Sequence, residues 1–327
     1  MITASISVII PTFKRPKLLY RCLTALCRQD YPGCFFEVAV VSDGPDPQTE
    51  AIVQFFASEY PDFCITFHSL PARRGPAAAR NYGWRRTAGD LVVFTDDDCI
   101  PENGWLAAYW RAYRAYDRRY VAFTGQVTVP LRDCPTDYEK NVAYLSTAEF
   151  ITANCACSRD ALELAGGFDE AFPTAWREDS DLQFKLLTGQ IPIFRVSDAV
   201  VCHPVRKTSW GISIAEQRKS MFNALLFKKH PELYRSRIAR GPVWNYYVII
   251  LASIVAVLGF VAGSPAVGGI ALLVWAGALL CFMAKRLNGT DASLSHRTEM
   301  MVTSVAIPYL SVYWTIRGAL RYKVFFL

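Results

Sequence analysis

The sequence predicts an α/β protein in which a mainly parallel sheet is flanked by helices, followed by a C-terminal transmembrane helical region. Up to about residue 205, apolar strand-like runs alternate with amphipathic helical patterns, which is typical of βαβ units. No Asp, Glu, Lys or Arg occurs between Trp244 and Ala284. Polar and acidic residues directly follow three of the strand-like runs. These three observations set the fold class and the position of a candidate site.

The first seven elements follow from hydrophobic periodicity and from turn residues. Strands are predicted at 5–12, 37–42, 63–69 and 91–95, and helices at 17–28, 47–58 and 76–87. The opening run MITASISVII stops at Pro11, too early for the apolar core of a signal sequence. We therefore interpret it as the first buried strand.

The composition excludes some classes of protein. A hydrophobic content of 52% is too high for a disordered chain. The ten cysteines form no CxxC pair, and Cys155 and Cys157 would share one face of a strand. In a reducing cytosol, small core residues are a better interpretation than disulfides or a metal site.

The net charge is +6, but basic residues gather at 206–240 beside the apolar segments. This placement favours an anionic lipid surface over nucleic acid.

Two apolar stretches predict a membrane hairpin. Residues 243–263 and 266–284 are each about 20 residues long, enough to cross a bilayer as a helix, and Ser264 and Pro265 form the turn between them. Basic residues flank both ends of the hairpin, which places both ends in the cytoplasm. We therefore predict a multi-pass protein of the inner (cytoplasmic) membrane with its large N-terminal domain in the cytosol.

The last apolar segment, 300–316, contains Pro308 and runs into Arg317, Arg321 and Lys323. If this segment crossed the membrane completely, these charges would lie on its outer side. We therefore prefer an interfacial or re-entrant helix to a third span. Further upstream, apolar and basic residues of 206–242 predict a basic amphipathic helix at the membrane surface, with a helix packed on the N-terminal domain as the alternative.

The strand ends indicate a ligand site. The first, second and fourth strands end in Pro11-Thr12, Asp43-Gly44 and Asp96-Asp97-Asp98, and parallel strands bind ligands at their carboxyl ends. Neither GxGxxG nor a P-loop motif is present, so a diphosphate would have to be neutralised in another way. Carboxylates holding Mn²⁺ or Mg²⁺ are the simplest alternative.

Six stretches in order give a resemblance to a known family. They are SVIIPTFKRP, VVSDGP, RGPAAARNYG, FTDDDC, ANCACSRDALELAGGFDE and REDSDL. Together they resemble the glycosyltransferase family 2 domain of the GT-A nucleotide-diphospho-sugar transferase fold, over about residues 5–203.

The resemblance implies roles for particular residues. Asp43 would read the nucleoside base, and Pro11 and Thr12 would line the same pocket. Asp98 and His203 would hold the divalent metal, Mn²⁺ or Mg²⁺. The other donor-binding positions that it implies are Arg80, Asn81, Asp96, Asp97 and Asn154. For His203 and Asn154, packing or capping of a strand end is the alternative interpretation.

The acids at the start of a predicted helix carry the implied chemistry. Asp179 matches the base that deprotonates the acceptor hydroxyl in an inverting transfer, and Glu178 would orient it or the acceptor. Acidic residues in a first helical turn are also favoured by the helix dipole alone. The match to the family favours catalysis for Asp179 more strongly than for Glu178.

The resemblance also divides the chain. Residues 1–205 would be a cytosolic GT-A catalytic domain, 206–242 the basic amphipathic region, 243–286 the transmembrane hairpin, and 287–327 a loop with an interfacial or third membrane helix. Processive polysaccharide synthases of the family carry a QxxRW signature near 206–210, where this chain has RKTSW. The difference favours transfer of a single sugar over extrusion of a polymer.

The resulting hypothesis is a metal-dependent inverting glycosyltransferase. It would use a nucleotide-sugar donor, first of all a UDP-sugar, and a lipid-linked or membrane-proximal acceptor in cell-envelope glycan or glycolipid synthesis. A nucleotidyltransferase of related fold and a non-catalytic nucleotide-sugar-binding partner of a glycan synthase are the alternatives. The sugar and the acceptor stay open, as does an oligomeric state.

Overall fold

The computed structural model describes residues 5–116 and 118–325. They form two compact units. The sheet unit comprises the described residues up to 130 together with 143–205, and the helical unit comprises 131–142 together with the described residues from 206 onward.

A single mixed sheet organises the sheet unit. Its strands, among the described residues, are β1 (Ile6–Thr12), β2 (Phe36–Ser42), β3 (Ile65–Ser69), β4 (Leu91–Thr95), β5 (Ile100–Pro101), β6 (Ala122–Thr128), β7 (Asn154–Ser158) and β8 (Ile193–Cys202). Their spatial order is β3-β2-β1-β4-β7-β6-β8-β5. The four predicted strands are confirmed to within about two residues at their ends, the usual scatter of such boundaries.

The pairing confirms a mainly parallel sheet and adds an antiparallel portion. β3, β2, β1 and β4 run parallel to one another. β7 is antiparallel to both β4 and β6, whereas β8 is parallel to β6. The first two strands are buried along nearly their whole length, as expected for strands covered on both faces.

Helices cover the two faces of this sheet. They are α1 (Pro16–Leu26), α2 (Pro47–Glu59), α3 (Pro76–Trp84), α4 (Trp105–Tyr116), α6 (Arg159–Ala165) and α7 (Glu178–Thr188). α5 (Asp137–Ala143) lies almost entirely in residues 131–142 and therefore belongs to the helical unit. Leu19, Cys22, Leu23 and Leu26 of α1 are buried as its periodicity predicts. Cys155 and Cys157 are buried and free within β7, which confirms that they are core residues.

The helical unit contains the remaining helices. They are α8 (Ile212–Glu216), α9 (Met221–Lys229), α10 (Pro231–Arg237), α11 (Trp244–Val261), α12 (Pro265–Leu287) and α13 (Leu294–Tyr322). The single amphipathic helix expected in 206–242 is wrong, because this region forms three short helices and a 3₁₀ turn at Gln217–Ser220. Pro231 begins α10 and therefore ends the preceding helix.

The apolar stretches form a helical hairpin. Within the described residues, α11 and α12 are long and apolar enough to cross a membrane, with mean hydropathies of 2.0 and 2.2. They approach closely at Gly259, where an added Cβ would lie 2.7 Å from the backbone nitrogen of Gly268. α13 does not meet the same criterion of length and hydropathy. It nevertheless continues unbroken through Pro308.

Candidate active site

The carboxyl ends of three neighbouring parallel strands bring the predicted residues to one edge of the sheet. Thr12 of β1 pairs with Ser42 of β2, and β4 lies on the other side of β1. Asp43 and the three aspartates 96–98 directly follow these strand ends. The parallel register therefore explains why residues far apart in sequence share this edge.

Asp43 organises the first wall of the site. Its Oδ1 accepts hydrogen bonds from the backbone nitrogens of Arg74 (2.6 Å) and Gly75 (3.0 Å). Gly75 has a φ of +94°, and a Cβ there would lie 2.4 Å from the carbonyl oxygen of Pro173, so glycine is required. The Oδ2 atom lies 3.8 Å from Nε of Arg73. Asp43 therefore fixes a loop with one oxygen and directs the other towards an exposed arginine.

Phe13 is a residue of this wall that the sequence interpretation missed. The guanidinium of Arg73 stacks over its ring at 4.6 Å. A half-buried aromatic ring beside a hydrogen-bonding carboxylate has the chemistry of a planar-base pocket. Its position directly after the first strand is the feature of the sequence that could have indicated this role.

Each of the three consecutive aspartates has a different partner. Asp97 is nearly buried and accepts hydrogen bonds from Thr12 Oγ1 (2.8 Å) and Arg15 Nη1 (3.1 Å). Burial raises the pKa of Asp97 to about 6, against the opposing charge of Arg15. Asp96 pairs with Nη2 of Arg80 at 2.7 Å. Separate partners compensate these adjacent charges, which would otherwise repel. Arg15 was not predicted.

Asp98 belongs to a group of candidate metal ligands. Its Oδ1 lies 3.5 Å from Nε2 of His203. Ligand atoms of Asp96, Asp98, Cys99 and His203 all lie within 4.8 Å of one another. Pairing of Ile100 with Cys202 aligns the two chain segments, and the His203 backbone nitrogen donates to Thr128 O. The structure thus brings Asp98 and His203 together.

Two carboxylates and a histidine match the preference of Mn²⁺ for oxygen and imidazole ligands. Nδ1 of the nearly buried His203 has no hydrogen-bond partner. Cys99, which the sequence interpretation missed, is fully buried, and burial together with Asp96 and Asp98 raises the pKa of its thiol well above its usual value. A thiolate is a soft ligand, whereas carboxylates and imidazole suit Mn²⁺. The carboxylates and the imidazole therefore fit this ion better than the thiol does.

The acidic pair lies at the start of α7. Glu178 is nearly buried, and its Oε1 accepts a hydrogen bond from Nη1 of Arg80 at 3.1 Å. Asp179 Oδ1 accepts one from the Ser180 backbone nitrogen at 2.6 Å. Burial raises the pKa of both groups, that of Glu178 to about 7, where repulsion by Asp179 adds to the effect. Arg80 therefore contacts both the aspartate run and the acidic pair.

The remaining predicted positions make their contacts inside the protein. Pro11 is buried in β1 opposite Val41. The Asn81 amide donates to Phe168 O and Glu170 Oε1, and its Oδ1 accepts from Trp84 Nε1 and the Phe168 nitrogen. These contacts suit a residue that fixes the chain at 168–170.

Asn154 is likewise fully buried. Its Nδ2 donates to the carbonyl oxygens of Gln126 and Ala199, each at 2.8 Å. Its Oδ1 accepts hydrogen bonds from Trp105 Nε1 (2.8 Å) and Tyr109 OH (2.7 Å). These four bonds use the full capacity of the amide. The geometry favours its alternative interpretation as a structural residue.

We expect Asn154→Ala to lower the free energy of unfolding by about 2–4 kcal/mol, because buried donors and acceptors lose their partners. The donor KM of the folded fraction should stay unchanged. Thermal unfolding of the purified chain tests the first expectation, with Asn103→Ala, at an exposed position, as the control. Loss of donor affinity at unchanged stability would contradict the structural role.

The aspartate run, the group of candidate metal ligands and the acidic pair belong to a mixed α/β sheet unit, and Arg80 contacts both Asp96 and Glu178. Residues 7–164 match the family model "Glycosyl transferase family 2". Residues 7–164 are therefore similar to glycosyltransferase family 2 domains, and the chain has a GT-A-like fold.

Two curated relatives are named as glycosyltransferases. Glycosyltransferase AglE of Haloferax volcanii is 35% identical over 101 residues, covering 31% of this chain and 33% of the relative. The pre-mycofactocin glycosyltransferase of Mycobacterium tuberculosis is 27% identical over 219 residues, covering 62% of this chain and 43% of the relative. The chain thus matches less than half of the length of each relative.

A solved mannosyltransferase from Pyrobaculum calidifontis, in complex with GDP-Man and Mn²⁺, superposes with a TM-score of 0.62 at 22% identity, covering 96% of this chain and 87% of the other. A structure of Staphylococcus aureus TarS in complex with UDP-GlcNAc gives a TM-score of 0.53 at 15% identity, covering 99% and 93%. At these identities the two structures support the fold.

Proposed function

We propose that this protein is a metal-dependent inverting glycosyltransferase that moves one sugar from a nucleotide-diphosphate sugar to a lipid-linked or membrane-proximal acceptor. A UDP-sugar is the donor to test first, and cell-envelope glycan or glycolipid synthesis is the proposed setting. The double contact of Arg80, at 2.7 Å to Asp96 and 3.1 Å to Glu178, carries the proposal. It supports a common site for donor-binding and acid–base groups.

In this mechanism, Asp43 and the loop at 73–75 hold the base, and Phe13 offers a face for stacking. Asp98 and His203 would hold Mn²⁺ or Mg²⁺, which would offset the negative charge of the diphosphate. Asp179 takes the proton of the acceptor hydroxyl as its oxygen bonds to the anomeric carbon. The bond from that carbon to the diphosphate oxygen breaks, and the diphosphate leaves with the electron pair. Inversion requires no covalent nucleophile on the enzyme.

The membrane part of the proposal rests on α11 and α12. Only 22% and 17% of their most apolar windows are buried, so these apolar surfaces are largely open to lipid. Lys285 and Arg286 lie near the end of α12, and Arg235, Arg237 and Arg240 precede α11. This charge placement supports a multi-pass inner-membrane protein with its sheet unit in the cytosol.

The proposed activity can be tested as nucleoside-diphosphate release by the purified, detergent-solubilised chain. UDP-, GDP- and dTDP-sugars are compared with Mn²⁺ or EDTA, and with or without vesicles of bacterial lipid extract. We expect metal-dependent release of one diphosphate that lipid stimulates and that Asp179→Asn slows by at least about 10²-fold. Binding of a nucleotide sugar without release would favour the non-catalytic alternative. Pyrophosphate release from a nucleoside triphosphate and a sugar phosphate would favour the nucleotidyltransferase.

The acidic pair predicts the pH dependence of transfer. The folded-state pKa of Glu178 is raised from its ordinary value of 4.5 to about 7, so ionisation of the pair is completed only near neutral pH. We expect kcat/KM to fall as the pH drops below about 7. A pH–rate profile checks this, with Glu178→Gln shifting the acid limb and Glu163→Gln, at an exposed position, leaving it in place.

The raised pKa of Glu178 also predicts how the stability of the folded chain depends on pH. Between pH 4.5 and about 7 the folded chain holds a proton on Glu178 that the unfolded chain has released. Stability contributed by this group therefore falls as the pH rises through that window, and Glu178→Gln should flatten the dependence. A pH-independent difference in Tm between Glu178→Gln and the unmodified chain would contradict the shift.

A further inference from the structure

Two arginines of the helical unit share one tryptophan ring. The guanidinium carbon of Arg317, in α13, lies 5.0 Å from the centre of the Trp314 ring. That of Arg218, in the 3₁₀ turn Gln217–Ser220, lies 5.7 Å from the same ring. Both distances are within the range of a cation–π contact. Two positive charges from separate elements are therefore held beside one indole.

Neither charge has an acidic partner in the part of the chain that the structure describes. Glu216, the acidic residue closest in sequence to Arg218, pairs with Lys219 instead. Arg317 Nη1 donates to the neutral hydroxyl of Tyr313 at 2.9 Å. Like charges that lie close together repel unless an anion compensates them. Both arginines are exposed, so an anion from outside the chain can reach them.

The two guanidiniums have the chemistry that recognises phosphate. Contact with an aromatic ring leaves the N–H groups at the edge of a guanidinium able to donate. Their planar fork matches the oxygens of a phosphate group and forms charge-assisted hydrogen bonds with them. Arg317 uses only one such donor for Tyr313. The ring of Trp314 therefore presents two largely unused forks.

Close backbone packing keeps the two arginines near each other. Gly318, which follows Arg317, is buried. An added Cβ at Gly318 would lie 2.4 Å from the carbonyl oxygen of Met221, the first residue of α9. Only glycine allows this approach of α13 to the end of the 3₁₀ turn. The position of Arg218 beside Trp314 thus follows from the backbone.

The same part of α13 also exposes apolar side chains. We call Tyr313, Ile316 and Leu320 the apolar strip. Ile316 and Leu320 are 42% and 74% exposed, and residues three or four apart lie on one side of a helix. An apolar strip beside basic residues is typical of helices that lie in a lipid headgroup region. A free phosphate ion would leave the apolar strip in water, whereas a phospholipid would cover it.

α13 connects this region to the candidate membrane helices. Arg286, near the end of α12, donates to Thr303 Oγ1 at 2.7 Å. Further along, Trp275 Nε1 of α12 donates to the hydroxyl of Tyr309 at 3.1 Å. Beyond this point Gly318 contacts Met221, within the basic region 206–242. One helix therefore extends from the apolar hairpin to the basic segment that was predicted to lie at the membrane surface.

We propose that Arg218, Trp314 and Arg317 bind the phosphate of an anionic lipid headgroup, with the apolar strip against the lipid chain. The inference rests on the membrane part of the proposed function. The site lies wholly in the helical unit and takes no part in sugar transfer.

Native mass spectrometry of the full chain in nonionic detergent, titrated with phosphatidylglycerol, tests the site. Arg218→Gln and Arg317→Gln should each raise the Kd of the first bound lipid by about 5-fold, because each removes one basic contact to an anionic lipid. The double variant should raise it by about 25-fold if the two contacts act independently. Phosphatidylcholine, whose headgroup has no net charge, should bind weakly to every form.

Arg321→Gln is the matched control, because it removes the same charge from an exposed position of α13. The Arg321 guanidinium lies over Tyr322 rather than Trp314, so its removal should leave the Kd nearly unchanged. Trp314→Phe keeps an aromatic ring and should weaken binding less than Trp314→Leu does. If Arg317→Gln does not fold, Arg317→Lys replaces it, because lysine keeps the charge and loses the fork, and it should still weaken binding.

Three results would overturn the lipid site. Arg321→Gln could weaken phosphatidylglycerol binding as much as Arg317→Gln does, which would show an effect of surface charge alone. Phosphatidylcholine could bind as tightly as phosphatidylglycerol, or millimolar inorganic phosphate could displace the lipid. Failure of every donor to release a diphosphate would contradict the proposed function instead, because lipid binding is measured without a donor.

Discussion

Asp179→Asn is expected to slow sugar transfer by about 10²- to 10⁴-fold, the range that general acid–base catalysis contributes. Asparagine has nearly the same shape, and its Oδ1 can still accept the hydrogen bond of the Ser180 backbone nitrogen. It cannot take the proton of the acceptor hydroxyl. Burial raises the pKa of Asp179, which makes this carboxylate a stronger base. The substitution therefore removes the proposed base and retains the local hydrogen bond.

Initial rates and donor affinity, measured separately, test this expectation. The Kd of the donor, by calorimetry, should stay within the error of the unmodified chain, because Asp179 is not among the donor-binding groups. Asp62→Asn, which changes an exposed carboxylate, is the matched control. A full rate in Asp179→Asn combined with a lost rate in Glu178→Gln would assign the base to Glu178 instead.

The fold was predictable where the chain encodes it locally. Strands β1, β2 and β4 are apolar runs that end at a turn or at acidic residues, so their bounds follow from the sequence. The direction of a strand relative to its neighbours is not encoded locally. β7 inserts antiparallel between β4 and β6, and only pairing across more than 30 residues decides that. Residues 131–142 show this long-range dependence more strongly. Lys140 contacts Asn288 and Pro135 contacts Asp291, about 150 residues further along the chain.

The candidate site was likewise predictable only in part. Acidic residues after strands marked its position, but not the separate partners of Asp96, Asp97 and Asp98. Those partners depend on side-chain directions at three adjacent positions. Asn154 illustrates the opposite case. A polar residue in an apolar strand suggests a ligand contact, whereas Trp105 and Tyr109 from α4 satisfy its amide in the core.

Removal of the proposed divalent metal is the second change that we expect to have a large effect. EDTA, or Asp98→Asn in the presence of Mn²⁺, should lower transfer by at least about 10²-fold. A Lewis acid at a leaving oxygen is worth several kcal/mol, and each 1.36 kcal/mol is a factor of ten in rate. Asp98 is nearly buried, 3.5 Å from His203 Nε2. The substituted amide would keep the volume of the side chain and lose its charge.

Mn²⁺ affinity, measured by electron paramagnetic resonance of free Mn²⁺, gives a readout that does not depend on turnover. Asp98→Asn should weaken Mn²⁺ binding strongly and His203→Ala should weaken it less, because a carboxylate supplies charge and imidazole does not. Cys99→Ala is the matched control within the same four residues. Its sulfur is a softer donor than Mn²⁺ prefers, so we expect its removal to leave the affinity nearly unchanged. If Cys99→Ala lost Mn²⁺ as completely as Asp98→Asn while remaining folded, the thiol would have to be a ligand, and a softer metal than Mn²⁺ would then fit the site better.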